Sequence, residues 1–217
     1  MGEIELIPFR NELNIYAVLF FYGDSANDDL SKAVAKDIED HWNEANGQVI
    51  LNGNPFKVLF KIEGIWSGLL TPEGIHENRN PRNNYFRVEE YANGDISFTD
   101  GINSNTGYFK LDNLRNNSTT AAHEFGHTMG LDHPQNLDIR GQGRPGIMYP
   151  RGTITDPEFQ WDPAAQPLQA GGTMNPYTRK VLQKDIDGLK LSSFQYKNNF
   201  SVIGDFTSIW HDKHQPG

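Results

Sequence analysis

The chain contains no cysteine. That excludes a disulfide framework, a thiolate metal site and a cysteine nucleophile, and it leaves stability to packing and to any bound metal. The compartment stays open, because many secreted proteins dispense with disulfides. Basic charge is scarce: 19 Lys and Arg against 28 Asp and Glu give a formal net charge of −9. No basic cluster interrupts that balance, so neither nucleic acid nor an anionic membrane is expected as a partner. Long apolar runs are missing too, and the longest, Ile15 to Tyr22, is far too short to span a bilayer. The start, Met1 to Leu6, carries neither the basic region nor the apolar core of a signal peptide. Leu6 also stands where a myristoylation site needs Ser or Thr. A cleaved leader or pro-segment is compatible with such a start.

What is present is a globular composition, 36% apolar and 12% aromatic, in 217 residues without internal repeats. That is enough chain for one domain, residues 1–217, with a substantial core. Leu13 to Tyr22 is rich in β-branched and aromatic residues and stops at Gly23-Asp24, which predicts a buried strand. Leu30, Val34, Ile38, Trp42 and Ala45 recur at helical steps after Asp28, so a one-faced helix should run to about Asn46-Gly47. Phe56, Val58, Phe60 and Ile62 alternate with Lys57, Leu59 and Lys61, the period of a half-buried strand. A sheet with a helix packed on it follows, an α+β arrangement. Residues 64–84 read as irregular, with His76 an exposed loop histidine. Tyr85–Glu89, Asp95–Phe98 and Gly107–Leu111 read as further strands, the last as an edge strand that an extended peptide could join. Asn117 to Thr120 offers several helix caps. Arg179 to Leu191 predicts a second helix, and the stretch from Phe194 has no clear period, so His211 and His214 are expected on a solvated terminus.

The stretch His123-Glu-Phe-Gly-His-Thr-Met-Gly-Leu-Asp-His133 carries the chemistry. On a helix, His123 and His127 leave the same face about one turn apart. Gly130 lets the chain turn abruptly, because glycine takes left-handed dihedrals at little cost, and the turn can return His133 as a third nitrogen ligand. Three protein ligands leave zinc a fourth position for water, the mark of a catalytic site rather than a closed structural one. Glu124 can lie beside the metal without binding it. A histidine pair four apart is commonly accidental, but five specified positions in one eleven-residue window are too many for chance at average composition. Asp100, Asn103, Asn105, Asp112 and Asn113 make calcium a second candidate ion, although the segment lacks the fixed spacing and glutamate of an EF-hand loop.

At His123, Glu124, His127, Gly130 and His133 the chain resembles the metzincin zinc endopeptidases. Gly146-Ile-Met148-Tyr-Pro150 is similar to the methionine turn of the matrix metalloproteinases, and Thr120 to Leu131 is close to the matrixin active-site helix. Leu182 to Leu189 resembles the end of the matrixin C-terminal helix. Pro134 after the third histidine is serralysin-like instead, and fifteen positions separate His133 from Met148, more than in matrixins and fewer than in serralysins. Met174 is a rival for the methionine turn, and Met148 is preferred for its flanking residues. Tyr149 follows Met148 directly, so no tyrosine ligand is expected.

The resemblance implies a metzincin-like fold: an N-terminal lobe of about 1–130 with a twisted mixed sheet and packed helices, ending in the active-site helix. A smaller irregular lobe of about 131–193 would hold the methionine turn and a C-terminal helix, before an extension of about 194–217. It further implies a zinc-dependent endopeptidase in which His123, His127 and His133 hold Zn2+, Glu124 is the general base and Met148 is structural. The substrate would be a protein or peptide in extended conformation along the 107–111 strand, and the long segment Arg151 to Asn175 would shape specificity. A secreted monomer is expected. Two other readings stay open: a non-enzymatic binding module that keeps a structural zinc, against which Glu124 and the open shell argue, and a proteolytic toxin or effector domain of a larger polypeptide.

Overall fold

The computed structural model describes residues 1–115 and 118–215. Its architecture is α+β, with one mixed sheet of eight strands and helices packed against it. The sheet is organised around β2 (Glu12–Tyr22), whose sequence is almost continuously apolar because both its edges and much of both its faces are covered. On one side it runs parallel to β4 (Asn54–Trp66), from Glu12 opposite Lys57 to Phe21 opposite Trp66. On the other side its first half pairs antiparallel with β1 (Gly2–Ile7) and its second half pairs parallel with β5 (Asn83–Glu89). Beyond β4 lies β3 (Gln48–Leu51); beyond β5 come β7 (Thr106–Lys110) and then the two-residue β6 (Phe98–Thr99). A late strand, β8 (Phe200–Ile203), returns to pair with β1.

Helix α1 (Asp28–Glu44) follows from its sequence in a simple way. Asn27 caps it by accepting from the Leu30 amide at 2.9 Å, Asp28 and Asp29 sit at the positive end, and Val34, Ala35, Ile38 and Trp42 face the sheet. Trp42 is the keystone of the packing. Its ring lies 5.0 Å from Phe60 of β4 and 6.2 Å from Phe125, and its indole N–H donates to the Ala122 carbonyl at 3.0 Å. Since Ala122 and Phe125 belong to α3 (Thr120–Thr128), this one side chain fixes the metal-binding helix against α1 and the sheet.

Several expectations need correction. The 107–111 segment is not an edge strand: β6 covers it, with Phe98 opposite Tyr108 and Thr99 opposite Gly107, so the outer strand is β6. The strand expected to begin at Asp95 starts only at Phe98, because Gly94 and Asp95 both have positive φ and form a 3-10 turn. The second helix shrinks to α4 (Gln183–Gly188), since Arg179 and Leu182 are extended and Lys190 is left-handed. A short helix, α2 (Pro72–His76), interrupts the stretch expected to be irregular, and it leaves His76 exposed at its end.

The C-terminal stretch is not a solvated tail either. Asn105 Oδ1 accepts from the amides of Thr207 and Ser208, Trp210 stacks on Tyr22 at 4.7 Å, His211 Nε2 lies 2.8 Å from Asp100, and His214 stacks on Tyr108 at 4.0 Å. Several of the side chains considered for calcium already have other partners. Asp100 takes His211 and the Thr106 hydroxyl, Asp112 faces Lys110 and Arg115, and Asn113 donates to Ser97. Among the described residues no group of three His, Cys, Asp or Glu side chains gathers there. Of the expected helix caps, Asn117 lies outside the described residues, and the Ser118 hydroxyl accepts from the Thr120 amide.

Candidate metal centre

All nine residues of α3 are buried, so its histidines and glutamate are held by packing on every side. The helix ends where Gly130 takes φ +93°, with the Leu131 amide donating back to the Gly126 carbonyl at 3.1 Å. A side chain at Gly130 would also meet Asn103 Oδ1. After this turn His133 comes back over the helix. Its Nε2 stands 3.0 Å from Nε2 of His123 and 3.1 Å from Nε2 of His127.

Backbone carbonyls fix how two of the rings face. His123 Nδ1 is 2.8 Å from the Ile147 carbonyl, and His127 Nδ1 is 2.7 Å from the Leu131 carbonyl. A carbonyl only accepts, so each Nδ1 carries the proton and each Nε2 turns a lone pair inward. Burial, the largest cause, lowers the pKa of all three histidines, with the Arg179 cation adding to it, so the rings are neutral and ligand-competent at neutral pH. Tetrahedral zinc with bonds near 2.0–2.1 Å separates its nitrogen ligands by roughly 3.3 Å. The two separations to His133 are within a few tenths of an ångström of that, all three ligand atoms lie within 4.8 Å of one another, and His123, His127 and His133 form the one cluster of metal-ligating side chains among the described residues. The donor set fits zinc.

Glu124 lines the same cavity as His123 and His133, a space of about 190 Å³. Desolvation pushes its carboxyl up to about 7, against the smaller opposing effect of the Thr99 hydroxyl, which lies 3.1 Å from Oε2 and 3.0 Å from the Glu124 carbonyl. The carboxyl is thus poised to exchange a proton near neutrality.

Beneath the helix, Met148 is buried with Phe125 and Ile147, and a Cβ at Gly126 would overlap its sulfur. Met174 packs elsewhere, with Ile139 and Tyr149. Asp185, at the start of α4, accepts from the amides of Leu182 at 2.8 Å and Ile147 at 3.4 Å. The residue whose carbonyl orients His123 is therefore held from α4.

Sequence reasoning did not single out Thr99 or Arg179. Arg179 is 5% exposed and reaches under the site: Nε and Nη2 donate to the Thr119 hydroxyl, and Nη1 donates to the Tyr149 carbonyl at 2.9 Å. Nη1 also stands 3.0 Å from His123 Nδ1, but that atom already bears a proton directed at Ile147. Burial pushes the guanidinium down to about 10, so it remains a cation at neutral pH. No local pattern marks this residue, which lies in a turn-rich stretch far beyond the histidine motif.

No protein-family model matches the chain, and no curated protein matches it. Among solved structures, archaemetzincin from Methanopyrus kandleri is similar over 82% of this chain and 95% of its own, at 13% identity and a TM-score of 0.42. Myroilysin is similar over 82% of this chain and 94% of its own, at 11% identity and a TM-score of 0.40. The chemistry assigned to this chain rests on its histidine geometry and not on these likenesses.

Proposed function

We propose that the protein is a zinc-dependent endopeptidase that hydrolyses peptide bonds of protein substrates. One observation carries this reading: three histidine nitrogens converge beside a buried glutamate on a cavity large enough for a side chain. The metzincin-like motif and the position of Met148 under α3 support the same conclusion. When bound, zinc supplies Lewis acidity, lowering the pKa of a water and polarising the scissile carbonyl. His123, His127 and His133 would hold the metal, with the Ile147 and Leu131 carbonyls fixing two of their rings. Glu124 takes the proton of the attacking water and delivers it to the leaving amine, a role that suits a carboxyl raised towards neutrality. Thr99 keeps that carboxyl facing the cavity. The substrate backbone lies extended along the outer edge of β6, next to Ile96 and Ser97, which line the cavity.

The test is metal analysis together with cleavage-site profiling on a denatured protein mixture, with and without a chelator. About one zinc per chain and chelator-sensitive internal cleavage are expected. Glu124→Ala should keep its zinc and lose at least about 100-fold in kcat, the usual size of a general-base contribution. Full activity in that variant, or a zinc-loaded wild type that cuts no protein, sinks the proposal.

A further inference from the structure

We propose that the cavity beside Glu124 is a carboxylate pocket, which binds an acidic side chain, Asp or Glu, next to the scissile bond through Arg179 at its buried end and Arg151 at its mouth. This specificity rests on the endopeptidase reading above. The argument starts from Arg179. A buried guanidinium is costly unless paired, and the one carboxylate whose charge acts on Arg179 among the described residues, Glu124, makes no hydrogen bond to it. Its acceptors, the Thr119 hydroxyl and the Tyr149 carbonyl, are both neutral. They engage three of its five N–H groups, one each on Nε, Nη1 and Nη2, and His123 Nδ1 has no lone pair free to take another. A cation with unfilled donors therefore lines the cavity.

The rest of the lining has the same polarity. Arg151 is exposed, with a single long contact of 3.4 Å to Asn113 Oδ1. Thr120 brings the positive end of α3 to the wall. The only anion in the lining is Glu124, which the reaction engages. Ile96 and Pro150 supply apolar walls for the methylene groups that carry a carboxylate, and about 190 Å³ accommodates such a side chain. A purely aliphatic occupant would leave two N–H groups of Arg179 without an acceptor, whereas a carboxylate meets them with a charge-assisted, two-pronged hydrogen bond.

The experiment uses peptides blocked at both ends and differing at one position: Asp, Glu, Asn or Leu. Cleavage is profiled with the zinc-loaded full chain, and binding is measured by fluorescence anisotropy with its Glu124→Gln variant. Asp or Glu should exceed Asn and Leu by at least about tenfold in both, as expected for a desolvated charge-assisted pair. Arg179→Gln should remove that preference, read as the ratio of Asp to Leu cleavage and binding within the same variant whatever its absolute rate, whereas loss of a merely structural Arg179 would lower both peptides in proportion. If that variant does not fold, Arg179→Lys and the exposed Arg151→Glu carry the test, and each should cut the preference for acid several-fold.

Equal or better handling of Asn or Leu overturns the proposal, as does a preference untouched by these substitutions or no binding of any peptide. Selectivity confined to peptides with a free C-terminal carboxylate also overturns it, since that would assign the pocket to a chain end. Acid-selective binding without cleavage would keep the pocket and refute the endopeptidase, while cleavage with a preference for Leu would do the reverse.

Discussion

Glu124 shows how a single residue ties stability to pH. Its carboxyl titrates near 7 in the metal-free fold because burial opposes ionisation. Folding therefore favours the protonated form, so the stability it contributes is complete below the usual glutamate range and is lost as pH rises through about 7. The full effect is about 3 kcal/mol, because the carboxyl rises from 4.5 to about 7 and each tenfold change in proton affinity is about 1.4 kcal/mol. The three histidines act oppositely: their lowered values make the fold lose stability as pH falls below about 6.5. The two effects oppose one another over the same window, and Glu124→Gln should remove the loss that Glu124 causes between about pH 4.5 and 7. Urea melts of metal-free wild type and variant from pH 4 to 9 check this: the two curves should diverge between about pH 4.5 and 7 and run parallel above, and curves parallel throughout would refute it.

Among elements, the contact between α3 and the segment around Met148 bears most directly on the site. A methyl group at Gly126 overlaps the Met148 sulfur and comes close to the Trp42 ring, so the buried Met148 side chain must shift to admit it. Gly126→Ala should cost about 1–3 kcal/mol through overpacking and lower zinc affinity, because His123 takes its orientation from neighbouring Ile147. Thermal melts and zinc titration read both effects; unchanged values would mean that the turn moves freely.

The elements also show what sequence patterns can and cannot carry. Strands β2 and β4, helix α1 and the histidine motif were legible because each states its environment through its own period or spacing. Strand β3 had a turn signal, Asn52-Gly53, whose two positive φ angles close the hairpin to β4, but its four residues are too few for alternation to register. Arg179, Thr99 and the outer position of β6 depend on partners distant in sequence, so no local pattern announces them.

At the scale of the whole molecule, the chain's last part works as a clasp. Strand β8 closes on β1, and residues 205–214 cross the ends of β5 and β7, bonding to Asn105, Asp100 and Tyr108 from about a hundred positions away. None of those pairings is visible as a period, which is why the segment looks featureless in sequence. Within it Trp210 stacks on Tyr22, a buried phenol that desolvation pushes up to about 12. The same region holds Asp100 and Asn103, and the Asn103 amide donates to the His127 carbonyl at 2.8 Å, so the clasp reaches the end of the metal-binding helix. Trp210→Ala should therefore do two things. It should destabilise the fold by about 2 kcal/mol, from lost apolar burial and stacking. It should also let one tyrosine, Tyr22, ionise closer to 10, because water now reaches it. Ultraviolet titration of the variant, with Tyr22→Phe to assign the signal, separates these effects. A variant that loses stability while Tyr22 still titrates at about 12 would show that the strand interior, and not the clasp, keeps that phenol dry.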